Sequence, residues 1–209
     1  MPRPFFFSLD GLDGTGKSTQ CRRLAAWLYA QGLKVTECAD PGGTGLGDTI
    51  RDLLLDHRQE MTLPCEALLF MASRAQLTAQ VIRPALDEGR IVISDRYLLA
   101  NVVYQGHAGG LDPELLWQVG RLATAGLEPD LTLVLDLPID EALSRRTGPG
   151  DRLERRDAGY QARVREGFLV EARRCPDRIR VIDARPPLEA VHEQICREVG
   201  HVMAARSRA

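Results

Sequence analysis

Phe5-Phe6-Phe7-Ser8-Leu9-Asp10-Gly11-Leu12-Asp13-Gly14-Thr15-Gly16-Lys17-Ser18-Thr19 decides the fold of this chain of 209 residues. The apolar run ending at Asp10 reads as a strand, and Gly11-x4-Gly16-Lys17-Ser18 then has the spacing of a P-loop. Glycines allow backbone N–H groups to turn inward around phosphate oxygens with no Cβ in the way. Lys17 can set a point charge on the β- and γ-phosphates of a nucleotide, and the Ser18 hydroxyl can hold Mg²⁺. A helix that starts near Lys17 points its positive end at the same anion. The alternative is an accidental glycine-rich turn. The strand-like run before it and the helical pattern after it decide for nucleotide binding.

Beyond the loop, Cys21, Leu24, Ala25 and Leu28 recur at helical spacing, and Gly32 is a helix stop. Residues 33–38 read as a second strand. Asp40-Pro41-Gly42-Gly43-Thr44-Gly45-Leu46-Gly47 is a glycine-rich loop, followed by a short helix through Ile50, Leu53 and Leu54. Pro64 opens a long helix expected to run to Asp87, with Ala67, Leu68, Met71, Ala75 and Ala79 on its apolar face. Residues 90–94 form a short strand that ends in Asp95-Arg96-Tyr97. Asp112 caps a helix with Pro113 in its first turn, expected to reach Gly126. Residues 131–137 and 179–182 are two more apolar strands, and a closing helix covers 188–203. Apolar strands alternating with helices predict a parallel sheet with both faces covered. Such sheets bind ligands beyond the carboxyl ends of their strands, where Asp10, Asp40, Asp95, Asp136 and Asp183 all fall.

Composition narrows the function classes. A chain of this length buries one sizeable core, and a single domain over 1–209 is expected. The formal net charge of −2, with signs interspersed, gives no electrostatic footprint for nucleic acid. Five cysteines, odd in number and without a C-x-x-C, predict reduced thiols in a cytoplasm rather than a disulfide frame or a zinc site. The apolar run near the start is too short for a signal-peptide core, and nowhere do about 18 apolar residues follow one another as a membrane span requires.

Several blocks together resemble the thymidylate kinases, a family of P-loop nucleoside monophosphate kinases. They are Asp10 to Thr19; Asp40-Pro41-Gly42-Gly43-Thr44; Leu69-Phe70-Met71-Ala72-Ser73-Arg74-Ala75-Gln76; Asp95-Arg96-Tyr97 with Asn101, Tyr104, Gln105 and Gly106; and Asp151-Arg152-Leu153-Glu154 followed by Val164-Arg165-x-Gly167-Phe168. They occur in family order over nearly the whole chain. The resemblance implies a three-layer P-loop NTPase fold, α/β, with a parallel sheet of about five strands flanked by helices, and a mobile lid at about 145–157. It implies transfer of a phosphoryl group from ATP to dTMP with Mg²⁺, in a homodimer joined through the helices that open at Pro64 and Asp112.

The same resemblance distributes the roles. Gly11, Asp13, Gly14, Thr15, Gly16, Lys17, Ser18 and Thr19 take the ATP phosphates, with Arg145 along the adenine. Ser18 and Asp95 take the metal. Asp13 faces the acceptor nucleotide, Arg96 its phosphate, and Phe70 stacks on thymine with Arg74 near O4. Asn101 and Gln105 stand at the base and Tyr104 against the deoxyribose, where its ring would crowd a 2′-hydroxyl. Physical reading leaves alternatives beside these roles. Phe70 and Arg74 share a helix face, yet spacing alone favours a core Phe70 and a solvated Arg74. Asp95 and Arg96 could form a surface ion pair of little worth, Asp13 could be a solvated carboxylate, and Tyr104 a packed helix residue.

The loop from Gly11 to Ser18 contains no arginine, and the basic run Arg145-Arg146-x5-Arg152-x2-Arg155-Arg156 is the nearest source of the missing charge. Arg152 is the first choice for a catalytic arginine beside Asp13, Lys17 and Arg96. Glycines at 148 and 150 suit a segment that closes over ATP. Two positions depart from the family pattern: Ala39 stands where arginine usually precedes the glycine-rich loop, and Ala100 where serine is common. A GTPase-like switch, suggested by Asp40-x-x-Gly43, fails because the chain's single asparagine, Asn101, precedes valine and not lysine. A kinase of another monophosphate, or a nucleotide-binding relative with weak activity, remains as an alternative.

Overall fold

A computed structural model describes residues 4–56, 58, 60–145 and 156–207. Strand β1 (Phe6–Gly11) runs into α1 (Lys17–Ala30), then β2 (Val35–Ala39), α2 (Gly45–Leu55) and α3 (Leu63–Leu77). A π-helical turn at Thr78–Ile82 joins α3 to α4 (Arg83–Asp87), and β3 (Ile91–Asp95) follows. Next come α5 (Leu98–Asn101), continued by a second π-helical turn at Val102–His107, then α6 (Pro113–Ala123) and β4 (Leu131–Asp136). The chain closes with α7 (Ile139–Ser144), α8 (Ala158–Arg174), β5 (Ile179–Asp183) and α9 (Leu188–Ser207).

The five strands form one parallel sheet in the order β2-β3-β1-β4-β5. β1 is central because it is apolar on both faces. Phe7 and Leu9 pack against one layer, with Leu24 and Leu28 of α1, Phe168 of α8 and Ile195 of α9. Phe6 turns to the other layer, with Met71 of α3, Ile82, Leu86 of α4 and Leu116 of α6. Period-two side chains on a central strand thus produce the three expected layers. The strand order reverses direction at β1, so its carboxyl end opens between β3 and β4, and that opening is where a ligand crevice forms.

The helix expected over 64–87 is one rod with a defect. Thr62 caps α3 by accepting a bond from Cys65 N–H, and Pro64 sits in its first turn. Pro84 lies inside the expected span, where it removes a backbone donor and crowds the carbonyl four residues earlier. The wider π-helical turn at Thr78–Ile82 lies where that crowding falls. The helix from Asp112 ends at Ala123, earlier than Gly126, and Asp112 accepts from Glu114 N–H as its cap. The helices α5, α7 and α8 were not delineated by the pattern. Leu98 to Val103 is buried on every side, so the segment carries no amphipathic period to read.

Candidate active site

The P-loop closes against the ends of β4 and α7. A Cβ on Gly11 (φ 135°) would stand 2.5 Å from the Leu135 carbonyl oxygen, and one on Gly14 (φ 88°) would stand 2.2 Å from that of Ala142. Both positions therefore demand glycine on two counts, backbone conformation and space. Thr15 is held inward by its hydroxyl, which donates to Leu12 O at 2.8 Å. Gly16 is the N-cap of α1 in the left-handed region, so the first turn of α1 directs its amides into the loop. Lys17 is buried, donating from Nζ to Leu12 O at 2.8 Å, with Asp13 Oδ1 at 3.5 Å. Burial, and then the Arg96 charge, push its pKa below the usual lysine value.

Arg96 enters from the end of β3. Its backbone is left-handed (φ 69°), unusual for a side chain of this size. Two bonds hold that geometry: Arg96 N–H to Leu9 O at 2.9 Å, and Ser94 Oγ to Arg96 O at 2.6 Å. The guanidinium donates to Asp13 Oδ1 at 2.5 Å, to Gly11 O at 3.0 Å and to the Tyr104 hydroxyl at 3.2 Å. It also lies 5.0 Å from the Tyr104 ring centroid. Beside it, Ser18 Oγ donates to Asp95 Oδ2 at 2.5 Å. Two hard oxygen donors in contact, next to a phosphate cradle, fit a Mg²⁺ that takes its remaining ligands from water and phosphate. Among the described residues no cluster of three or more His, Cys, Asp or Glu forms a metal cage, and magnesium of this kind does not require one.

The opposite wall belongs to α3 and α5. Arg74 is buried, with Nε donating to Asp40 Oδ2 at 2.5 Å and NH1 to Asn101 Oδ1 at 2.9 Å. Asn101 Nδ2 donates to Gln105 Oε1 at 2.8 Å, and Gln105 Nε2 donates to Glu66 Oε1 at 2.8 Å. Phe70 packs on Ile50 and Leu54 by one side of its ring and lines the cleft by the other. The glycine-rich loop is shaped by Gly42 N–H donating to Ser73 Oγ and Gly43 N–H donating to Asp48 Oδ1. The P-loop and this wall line one cleft of about 830 Å³, within the usual range of ligand-binding clefts.

The thymidylate kinase family model matches residues 9–195. The chain belongs to the thymidylate kinase family. It is 46% identical over 205 residues to the thymidylate kinase of Symbiobacterium thermophilum, covering 97% of this chain and 96% of that one. It is 48% identical over 188 residues to the thymidylate kinase of Rhodopirellula baltica, covering 90% of this chain and 77% of the relative. Among solved structures, the thymidylate kinase of Ehrlichia chaffeensis superposes with a TM-score of 0.79 at 30% identity, covering 95% of this chain and 99% of that one.

Of the residues assigned by the resemblance, Asp13, Gly14, Gly16, Lys17, Ser18, Thr19, Phe70, Arg74, Asp95, Arg96, Asn101, Tyr104, Gln105 and Arg145 all line the one cleft. Gly11 and Thr15 shape the loop from behind. Arg152 lies outside the described residues, as does most of the expected lid. Several alternatives fall away. Arg74 is buried and not solvated, Asp13 is paired with Arg96 and Lys17, and Asp95 contacts Ser18 and not Arg96. Phe70 is both a core residue and a cleft residue. Ala39 and Ala100, the two departures from the thymidylate kinase pattern, both stand in the cleft lining.

Sequence reasoning missed Arg51, Asp48 and Glu66, and named Arg156 only as a member of the basic run. Arg51 donates to Pro41 O at 2.8 Å and, with Asp48, borders the cleft. Glu66 is buried and bonds Gln105, and Arg156 reaches that same carboxylate at 2.8 Å. A signal for Glu66 existed, since 66, 70 and 74 repeat every four residues on one helix. None existed for the pairing of Arg156 with Glu66, which spans ninety positions.

Proposed function

We propose that this chain transfers the γ-phosphoryl group of ATP to dTMP, giving dTDP and ADP, with the cleft split between donor and acceptor. The observation that carries the reading is the opposition of Lys17 and Ser18, on the P-loop, to Phe70, Arg74 and Asn101, across a cleft that Arg96 spans. Phosphoryl transfer demands little covalent work of a protein and much positioning and charge. The loop amides and Lys17 hold the donor phosphates. Arg96, fixed by Asp13, Gly11 and Tyr104, holds the acceptor phosphate in line. Phe70 stacks on the base, Arg74 and Asn101 meet its polar edge, and Tyr104 fills the space a 2′-hydroxyl would need. Ser18 and Asp95 would hold Mg²⁺, which when bound neutralises charge on the β- and γ-phosphates. Arg145, anchored on Ala184 O at 3.2 Å, lies along the adenine. Arg152 supplies transition-state charge.

A homodimer and a cytoplasmic setting complete the proposal. Leu68 on α3 and Leu115 and Leu122 on α6 are exposed at 59%, 55% and 83%. Those two helices touch each other, so their apolar side chains support a shared face for a second copy. Among the described residues no helix is long and apolar enough to cross a membrane. The test is a coupled assay of ADP release from Mg-ATP over a panel of nucleoside monophosphates. The highest kcat/KM is expected for dTMP; a larger value for another monophosphate, or no release at all, refutes the assignment. Sedimentation of the purified chain reads the dimer separately.

A further inference from the structure

We infer that Tyr160 and Phe168, which do not line the cleft, are positioning residues: their rings back Tyr104 and so enable it to exclude an acceptor that carries a 2′-hydroxyl. The inference rests on the proposed placement of Tyr104 against the acceptor's deoxyribose.

Excluding one oxygen atom by contact is a matter of rigidity. A pocket whose wall recedes admits an added hydroxyl, so a wall residue discriminates only as firmly as it is held from behind. Tyr104 lines the cleft, whereas Tyr160 and Phe168 stand behind it on α8. Both are buried and meet the Tyr104 ring edge to face, with centroids 6.4 Å away for Tyr160 and 6.2 Å for Phe168. Arg96 also touches the ring, donating to its hydroxyl at 3.2 Å. That bond pulls on one end of Tyr104. The two rings of α8 fill the space into which the whole side chain would move.

The backbone does not supply the give. The π-helical turn Val102–His107 and the residue after it are fastened to α8 at three points. The Tyr160 hydroxyl donates to the Tyr104 carbonyl at 2.7 Å, Arg163 Nε donates to Ala108 O at 3.2 Å, and His107 Nε2 bonds Glu171 Oε1 at 2.8 Å. The two segments approach so closely that a Cβ on Gly167 would stand 2.7 Å from His107 Cβ. With the main chain pinned, rotation of its side chain is the motion left to Tyr104, and close-packed rings oppose it.

Removing one backing ring changes this. Tyr160→Ala opens a cavity behind Tyr104, because a packed core relaxes only in part around a lost side chain. Tyr104 then turns into the cavity when a 2′-hydroxyl arrives, and a ribonucleotide acceptor gains what the unmodified enzyme denies it. General damage has a different signature, since it lowers the turnover of every acceptor and raises none.

The test measures kcat/KM for dTMP and for ribothymidine 5′-monophosphate, which differ only in the 2′-hydroxyl, with Mg-ATP as donor. The unmodified enzyme should prefer dTMP. In Tyr160→Ala the value for the ribonucleotide should rise about tenfold, with the KM for ATP unchanged. Tyr160→Phe keeps the ring and should keep the preference. Tyr104→Ala should lose the preference by itself, and adding Tyr160→Ala to it should raise the ribonucleotide value no further. No rise in folded Tyr160→Ala overturns the inference. So does an equal rise in Tyr160→Phe, which would make the bond to the Tyr104 carbonyl responsible, or a further rise in the double variant, which would mean that Tyr160 acts by another route. Should Tyr160→Ala fail to fold, Phe168→Leu cuts back the second ring and must produce the rise; its absence there is equally fatal. If the unmodified enzyme phosphorylates dTMP but uses both acceptors equally, the inference falls while the functional reading stands. If it phosphorylates neither, both have failed.

Discussion

The Arg96 guanidinium donates to Asp13 Oδ1 at 2.5 Å, tying the end of β3 to the middle of the P-loop. Asp13 also lies 3.5 Å from Lys17 Nζ, so one carboxylate stands between Arg96 and Lys17. Without it, two positive groups would face each other in a partly desolvated space and splay apart. The loop acid is therefore a spacer for the charges that meet phosphate.

Lys17→Ala should reduce kcat by on the order of 10²–10³-fold. The fold should survive, because Lys17 donates to Leu12 O and faces Asp13 but fills no apolar core. Steady-state rates with Mg-ATP and dTMP, beside a thermal melt, check both halves. Turnover near that of the unmodified enzyme would remove Lys17 from the phosphate site.

Phe70→Leu should raise the KM for dTMP about tenfold and leave that for ATP unchanged, since base–aromatic stacking contributes about 1–3 kcal/mol. Leucine keeps the contacts to Ile50 and Leu54, so the apolar cluster persists. Arg74→Ala is a different experiment. It strands Asp40 in the interior without its cation and should cost about 3–5 kcal/mol of stability, visible as a lowered melting temperature. Titration of each substrate against each variant, with melts alongside, separates recognition from folding.

Asp10 couples stability to pH. It is fully buried on β1, and neither carboxylate oxygen has a hydrogen-bond partner among the described residues. Burial raises its pKa from 3.8 to about 7, the nearby Arg96 and Lys17 charges opposing the shift and Asp95 adding to it. The folded state thus holds a proton that the unfolded state releases. The stabilisation is complete below pH 4 and is lost as pH rises towards about 7, by up to about 4 kcal/mol. Asp10→Asn should therefore raise the melting temperature of the nucleotide-free protein at pH 8 and change it little at pH 4. Equal effects at both pH values would refute the linkage.

Arg152→Ala should lower kcat by on the order of 10²-fold while changing ATP affinity much less, because charge supplied only in the transition state does not enter substrate binding. Arg96 is already engaged with Asp13, Gly11 and Tyr104, and the P-loop has no arginine of its own. Near-normal kcat would transfer the role to Arg146, Arg155 or Arg156. Pre-steady-state rates beside nucleotide affinities distinguish these outcomes.

The sequence by itself determined the P-loop, the parallel sheet and the family. These rest on local information: apolar runs of strand length, a helix opened at Pro64, a cap at Asp112, and motif spacing along the chain. It also placed Phe70 and Arg74 on one helix face, because a helix fixes which side chains are neighbours. Tertiary structure decided what those side chains touch. Arg74 is buried because Asp40, thirty-four positions away, supplies its counter-charge. Asp95 turns to Ser18 and leaves Arg96 to Asp13, although 95 and 96 are adjacent, because successive residues leave a strand end in different directions. The Glu66–Arg156 pair and the chain of amides up to Arg74 join α3, α5 with the π-helical turn after it, and the residues just before α8, segments brought together only by packing on a common sheet. Hydrogen-bond polarity passes through space and not along sequence, so no spacing rule could have recorded it.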